Sequence, residues 1–198
     1  MLVKSLQLIR EINSIQPDEN GDKPAPETLT SLNNDSSFID ITDTVITKSI
    51  GGLQQGQNIH YYSYANFNLV RLINYLLRQT GPAHVFMTSY SFSQKSIESI
   101  QNKLNSGALL SFRVIIDNRV RSLSPKPFQM LSQSFDYRCT SIHAKVALIW
   151  NEIWKISVVT SQNATDNPKM ERGTIFTDPL IFNFDLNALT NAFKNGTL

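Results

Sequence analysis

Ser141-Ile142-His143-Ala144-Lys145, Val146-Ala147-Leu148-Ile149-Trp150 and Ile156-Ser157-Val158-Val159-Thr160-Ser161-Gln162-Asn163 form the stretch on which the fold turns. The apolar runs Val146–Trp150 and Ile156–Thr160 lie either side of Asn151-Glu152 and read as a hairpin. Pairing them brings His143, Lys145, Ser161 and Asn163 to one end of a sheet, and Glu171 follows shortly after. An imidazole can attack or protonate. An ammonium and an amide can hold phosphate oxygens. A carboxylate can orient the imidazole. The set suits a phosphodiester.

Working upstream, strands and helices alternate. Leu109–Asp117 and His84–Tyr90 are apolar enough for strands. Ser93 caps a helix with Ile97, Ile100 and Leu104 inward, and Gly107 stops it. Asn66 caps another, with Leu69, Leu72, Ile73 and Leu76 as its stripe, running to Gln79 before Gly81-Pro82. Pro127–Phe135 reads as a short helix, Tyr137–Ile142 as the approach to His143, and Asn58–Ser63 as a short strand. Downstream, Gly173–Thr177 reads as a strand and Asp185–Phe193 as a last helix. Helices alternating with strands early and strands dominating late argue for an α/β chain with a mixed sheet flanked by helices.

The first 50 residues differ. Leu2–Ile15 reads as a short helix, residues 16–37 as a Pro-containing linker, and Phe38–Lys48 as one or two edge strands. This segment carries 4 basic and 8 acidic residues, whereas residues 51–198 carry 14 basic and 8 acidic. The division is therefore an acidic extension, 1–50, and a basic domain, 51–198. Arg113, Arg119, Arg121, Lys126, Arg138 and Lys145 concentrate positive charge around the candidate site, which favours a polyanion. Arg113, Arg119 and Arg121 are the candidate nucleic-acid contacts. The acidic extension can fold over this basic region or simply complete the sheet edge. No apolar run approaches a membrane span, and a single cysteine, Cys139, fits a reducing compartment. The expectation is a soluble cytoplasmic chain with no membrane contact. Three histidines and one cysteine argue against a structural zinc site.

The pattern resembles the small single-motif nucleases of the phospholipase D superfamily. Their motif runs His-x-Lys, four residues, Asp, then Gly-Ser-x-Asn and a later Glu. Here His143-Ala144-Lys145 is followed by Val146–Ile149, with Trp150 where Asp is expected, and Thr160-Ser161-Gln162-Asn163 stands for Gly-Ser-x-Asn. Ser89-Tyr90-Ser91-Phe92-Ser93 and Phe112–Asp117 extend the likeness, which covers residues 60–180. Asn151, one residue past Trp150, falls on the other face of a strand and is a poor substitute for the aspartate.

The resemblance implies a half-domain of the phospholipase D type and a metal-independent phosphodiesterase with no cofactor. His143 would form a phosphohistidine. Lys145, Ser161 and Asn163 would hold phosphate oxygens, and Glu171 would accept the far ring proton of His143. The chemistry needs two histidines, which implies a homodimer with one His143 from each subunit; His60 and His84 are the rivals for the second role. Nucleic acid is the expected substrate. The alternatives are a degenerate module that binds nucleic acid or protein, and a hydrolase of lipid or small phosphodiesters. Tyr90 and Phe92 read as core or site wall, and Trp150 and Trp154 as a pair packed on each other or on a dimer partner.

Overall fold

A computed structural model describes residues 27–32, 35–40, 46, 50–64 and 67–198. Among the described residues, nine strands form one sheet: β1 (Glu27–Leu32), β2 (Asp35–Asp40), β3 (Gln57–Tyr64), β4 (Ala83–Ser89), β5 (Leu109–Asp117), β6 (Asp136–Thr140), β7 (Lys145–Trp150), β8 (Lys155–Thr160) and β9 (Met170–Phe176). Their spatial order is β2-β1-β3-β9-β8-β7-β4-β5-β6. The β4–β5 and β5–β6 pairs are parallel and the remainder antiparallel, so the sheet is mixed. The helices fully within the described residues are α1 (Leu69–Thr80), α2 (Gln94–Asn105), α3 (Val120–Leu123), α4 (Pro125–Ser134) and α5 (Pro179–Asn195).

Period-two alternation assigns the two faces of the sheet. Val85, Met87, Val114, Ile116, Ala147 and Ile149 point to the face covered by α1, α2 and α4, where Leu72, Leu76, Ile97, Ile100 and Leu131 meet them. Phe86, Ile115, Val146 and Leu148 point the other way, against Phe182 and Leu189 of α5. Strands β4, β5 and β7 are thus buried on both sides, which is why their sequences are nearly continuous apolar runs.

Caps fix the helix starts. Asn68, not Asn66, caps α1: its side chain accepts from the Arg71 amide at 3.0 Å. Ser93 caps α2 through the Ser96 amide. Helix α5 starts at Pro179, capped by Asp178, six residues ahead of the expected Asp185; a proline is favoured at the first helical position because its missing N–H would have no partner there. Strand β1 and the start of β2 lie inside the stretch read as linker, and β1 pairs with β3. The expected helix Leu2–Ile15 lies outside the described residues.

Trp150 and Trp154 do not pack on each other, because they fall on opposite faces. Trp150 stacks on His84 at 5.3 Å and tilts against Phe182 at 5.9 Å, while Trp154 packs against the core cluster of the opposite face. The turn between them is held by Asn151, whose side-chain oxygen accepts from the Ile153 and Trp154 amides and whose amide donates to the carbonyls of Thr80 and Pro82.

Gly173 has a structural reason to be glycine. It pairs across β3–β9 with Tyr61, whose ring lies over it; a Cβ there would sit 2.3 Å from the ring. Tyr61 is buried, and its hydroxyl donates to Gln162 Oε1 at 2.7 Å and approaches Thr160 Oγ1 at 3.1 Å. The ring cannot tilt away without breaking these bonds. Gly173→Ala is expected to cost about 1–3 kcal/mol, measured by denaturant unfolding; an unchanged midpoint would show that the ring moves freely.

Candidate active site

The candidate residues gather at one end of the sheet, where β4 and β5 finish, β7 starts, β8 ends and β9 begins. His143 is exposed in the segment leading into β7. Two buried groups hold that segment. Thr88 Oγ1 donates to the Ala144 carbonyl at 2.7 Å and accepts from the Val146 amide at 3.0 Å. Asp117, 2 % exposed, accepts from the Ile142 amide at 3.2 Å.

Lys145 is buried, 6 % exposed, directly behind the imidazole. Its Nζ donates to the His143 carbonyl at 2.7 Å and lies 3.4 and 3.3 Å from Nδ1 and Nε2. Burial pushes its pKa below the ordinary lysine value, and the charge of Glu171 partly opposes the shift.

Asn163 is oriented by its neighbours. Its Oδ1 accepts from the Tyr90 amide at 3.1 Å and from Ser89 Oγ at 3.5 Å. A backbone N–H can only donate, so the oxygen must face Tyr90 and the NH2 end is left to donate elsewhere. The Asn163 carbonyl in turn accepts from Leu69 N at the start of α1. Gln162, between Ser161 and Asn163, is buried and donates from Nε2 to the Phe67 carbonyl at 2.6 Å. Thr160 accepts from the Gln162 amide at 3.2 Å and donates to the Arg172 carbonyl at 3.1 Å.

Glu171, 9 % exposed, takes a different partner from the expected one. Its Oε2 accepts from the Ser161 hydroxyl and its Oε1 from Asn167 Nδ2 at 2.6 Å. Among the described residues no hydrogen bond joins it to His143. The chain accordingly brings His143, Lys145, Ser161, Asn163 and Glu171 to the same sheet end, with Glu171 directed at Ser161.

The two rival histidines lie elsewhere. His84 begins β4, at the opposite end of the sheet, bonded to Ser111 at 2.8 Å and stacked on Trp150. At about 3.3 Å per residue, the length of β4 separates it from the site. His60 is mid-strand in β3, bonded to Thr174 Oγ1 at 3.0 Å, and burial lowers its pKa.

Of the three arginines, only Arg119 reaches the site. Its guanidinium lies 4.9 Å from the Tyr90 ring centre, and that ring is 5.8 Å from His143. Arg113 pairs with Asp136 at 3.3 Å and faces Phe193, while Arg121 donates to the Leu198 carbonyl. Phe92 is core. Thr88 and Asp117 were not singled out from the sequence; their only signal was their position near the carboxyl ends of two parallel strands, where sites in such sheets form.

Trp150 also lies at the far end of β7 from Lys145, in an apolar setting. A side chain there is the length of β7 away from Lys145. Trp150→Asp is therefore expected to restore nothing. It should cost about 2 kcal/mol or more through lost packing and leave catalysis no faster, as read by thermal melting beside a cleavage assay. A clear gain in rate would show that the motif aspartate acts from that position.

No family model and no curated protein matches the sequence. Among solved structures, the chain is similar to Nuc of Salmonella typhimurium, described as a phospholipase D family member, with a TM-score of 0.54 and 14 % identity over 70 % of this chain and 96 % of that one. NucT from Helicobacter pylori gives 0.52 and 15 % identity, covering 70 % and 98 %. A polyphosphate kinase from Porphyromonas gingivalis gives 0.55 and 14 % identity over 71 % of this chain, but this chain spans only 26 % of that enzyme.

Proposed function

We propose that this chain, which has the fold of a phospholipase D family member, is a phosphodiesterase cleaving nucleic acid through a phosphohistidine. The observation that carries the reading is the convergence of an exposed imidazole, a buried ammonium and an amide whose NH2 end is free to donate, all at one sheet end. These are a nucleophile and two donors for non-bridging oxygens. The likeness in fold to Nuc and NucT agrees with it, as does the positive balance of residues 51–198.

In the first step a neutral His143 nitrogen attacks phosphorus, a P–N bond forms, and the bond to the leaving oxygen breaks. A protonated imidazole supplies that oxygen with its proton. In the second step water attacks phosphorus, the now neutral second imidazole takes the water proton, and the P–N bond breaks. Lys145 and Asn163 hold the charge that builds on the non-bridging oxygens. Glu171 fixes the Ser161 hydroxyl beside them. The second imidazole is His143 of the partner subunit, since His84 is at the wrong end of the fold; a two-fold axis through the site brings the pair together.

The test is cleavage of single- and double-stranded DNA and RNA in excess EDTA, together with the mass in solution by sedimentation. Cleavage by a dimer supports the reading. A folded chain that cleaves none of these substrates overturns it and leaves a binding module. Among the described residues, no helix is long and apolar enough to cross a membrane.

A further inference from the structure

We infer that Arg119 is a second phosphate-holding group of this site, placed to take a neighbouring phosphate of the strand whose diester is cleaved. The inference rests on the phosphodiesterase reading above. It begins with Asp117, a carboxylate 2 % exposed at the end of β5. Asp117 accepts from Arg119 Nε at 2.8 Å, from Arg119 Nη2 at 3.4 Å and from the Arg119 amide at 3.0 Å, and also from the amide of Ile142, next to His143. One buried carboxylate thus fixes both the guanidinium and the segment that carries the imidazole.

The guanidinium is held along one edge and stacked on Tyr90, yet the side chain is 62 % exposed. Its Nη1 has no partner among the described residues, so the free edge of the fork presents donors already set in place. An arginine fork recognises phosphate through two parallel N–H bonds. Pre-setting it removes most of the ordering cost that a loose arginine would meet on binding. Arg113 and Arg121 differ: the first is engaged by Asp136, and the second by the Leu198 carbonyl.

The Tyr90 ring neighbours both groups, 5.8 Å from the imidazole and 4.9 Å from the guanidinium, so the fork stands beside the reacting centre. A strand carrying a phosphate on each side of the cleaved diester is the ligand class that offers it a second anion.

The experiment is equilibrium binding of a fluorescein-labelled single-stranded DNA 10-mer, followed by anisotropy at several salt concentrations, for the wild type, Arg119→Gln and Arg119→Lys. Affinity for inorganic phosphate is measured beside it by calorimetry. Arg119→Gln is expected to weaken the oligonucleotide at least tenfold, to weaken inorganic phosphate several-fold less, and to flatten the slope of log K against log salt by up to about 0.7. Arg119→Lys, which keeps the charge but loses the fork, falls between. Equal binding of the oligonucleotide by the wild type and Arg119→Gln would overturn the inference, as would equal losses for both ligands. Binding does not depend on turnover, so a chain that cleaves nothing but still binds through Arg119 would refute the enzymatic reading and leave this one standing.

Discussion

Alanine at position 143 is expected to abolish phosphodiester cleavage, a loss of about 10³-fold or more, while leaving the fold intact. A nucleophile whose removal eliminates the covalent route gives losses of this size or larger. Stability should hardly change, because His143 is exposed and belongs to neither core cluster. Among the described residues its side chain lies against the Lys145 ammonium and near the Tyr90 ring. The bond from Lys145 to the His143 backbone carbonyl survives the substitution. The unfolding free energy is expected to stay within about 0.5 kcal/mol of wild type. Cleavage in EDTA and a thermal melt on the same preparation check both halves. Residual activity within tenfold of wild type would remove His143 from the chemistry.

Much of the fold was legible because its central strands are buried on both faces. Val85–Met87, Val114–Ile116 and Val146–Ile149 are nearly all apolar, and such runs bounded by Gly, Pro and Ser announce themselves. The site was legible where its groups are close in sequence and the hairpin places them: His143, Lys145, Ser161 and Asn163 needed only the β7–β8 register. What stayed hidden depends on long-range contacts. The Thr88 bridge across Ala144 and Val146, the Tyr90 amide on Asn163 and the Asp117 bond to Ile142 each join residues remote in sequence. None has a local pattern to betray it. Strand β1 was concealed differently: Glu27–Leu32 is rich in Thr and Ser and follows a Pro-containing stretch, so its strand character comes from pairing with β3 and not from composition. The start of α5 was missed because Pro179 was not weighed as a first helical residue.

Lys145→Met is expected to divide activity from stability more sharply than any other change at the site. Lys145 is buried, and burial holds its pKa below the ordinary value even though Glu171 pulls the other way. The sign follows directly. A folded value beneath the unfolded one means that the unfolded chain binds more protons between the two, so wild-type stability rises as pH climbs through that window. Below it, the fold bears the full cost of a buried ammonium. Methionine has similar length and no charge, so it relieves that cost where the ammonium is present. It gives up the bond to the His143 carbonyl, but His143 is exposed and water can replace the donor. Glu171 keeps the Ser161 hydroxyl and Asn167 as donors. A gain of about 1 kcal/mol, or about 2–4 °C in the melting midpoint, is expected near neutral pH. It should shrink as pH rises and vanish above the ordinary lysine value. Catalysis should fall by about 10²–10³ in kcat, the usual loss when one preorganised donor to a developing charge is removed. Melting curves across the alkaline range, set beside cleavage rates, check the pair of effects. A variant that loses both stability and activity would mean that the ammonium supports the fold and has not been held there, at a cost, for phosphate.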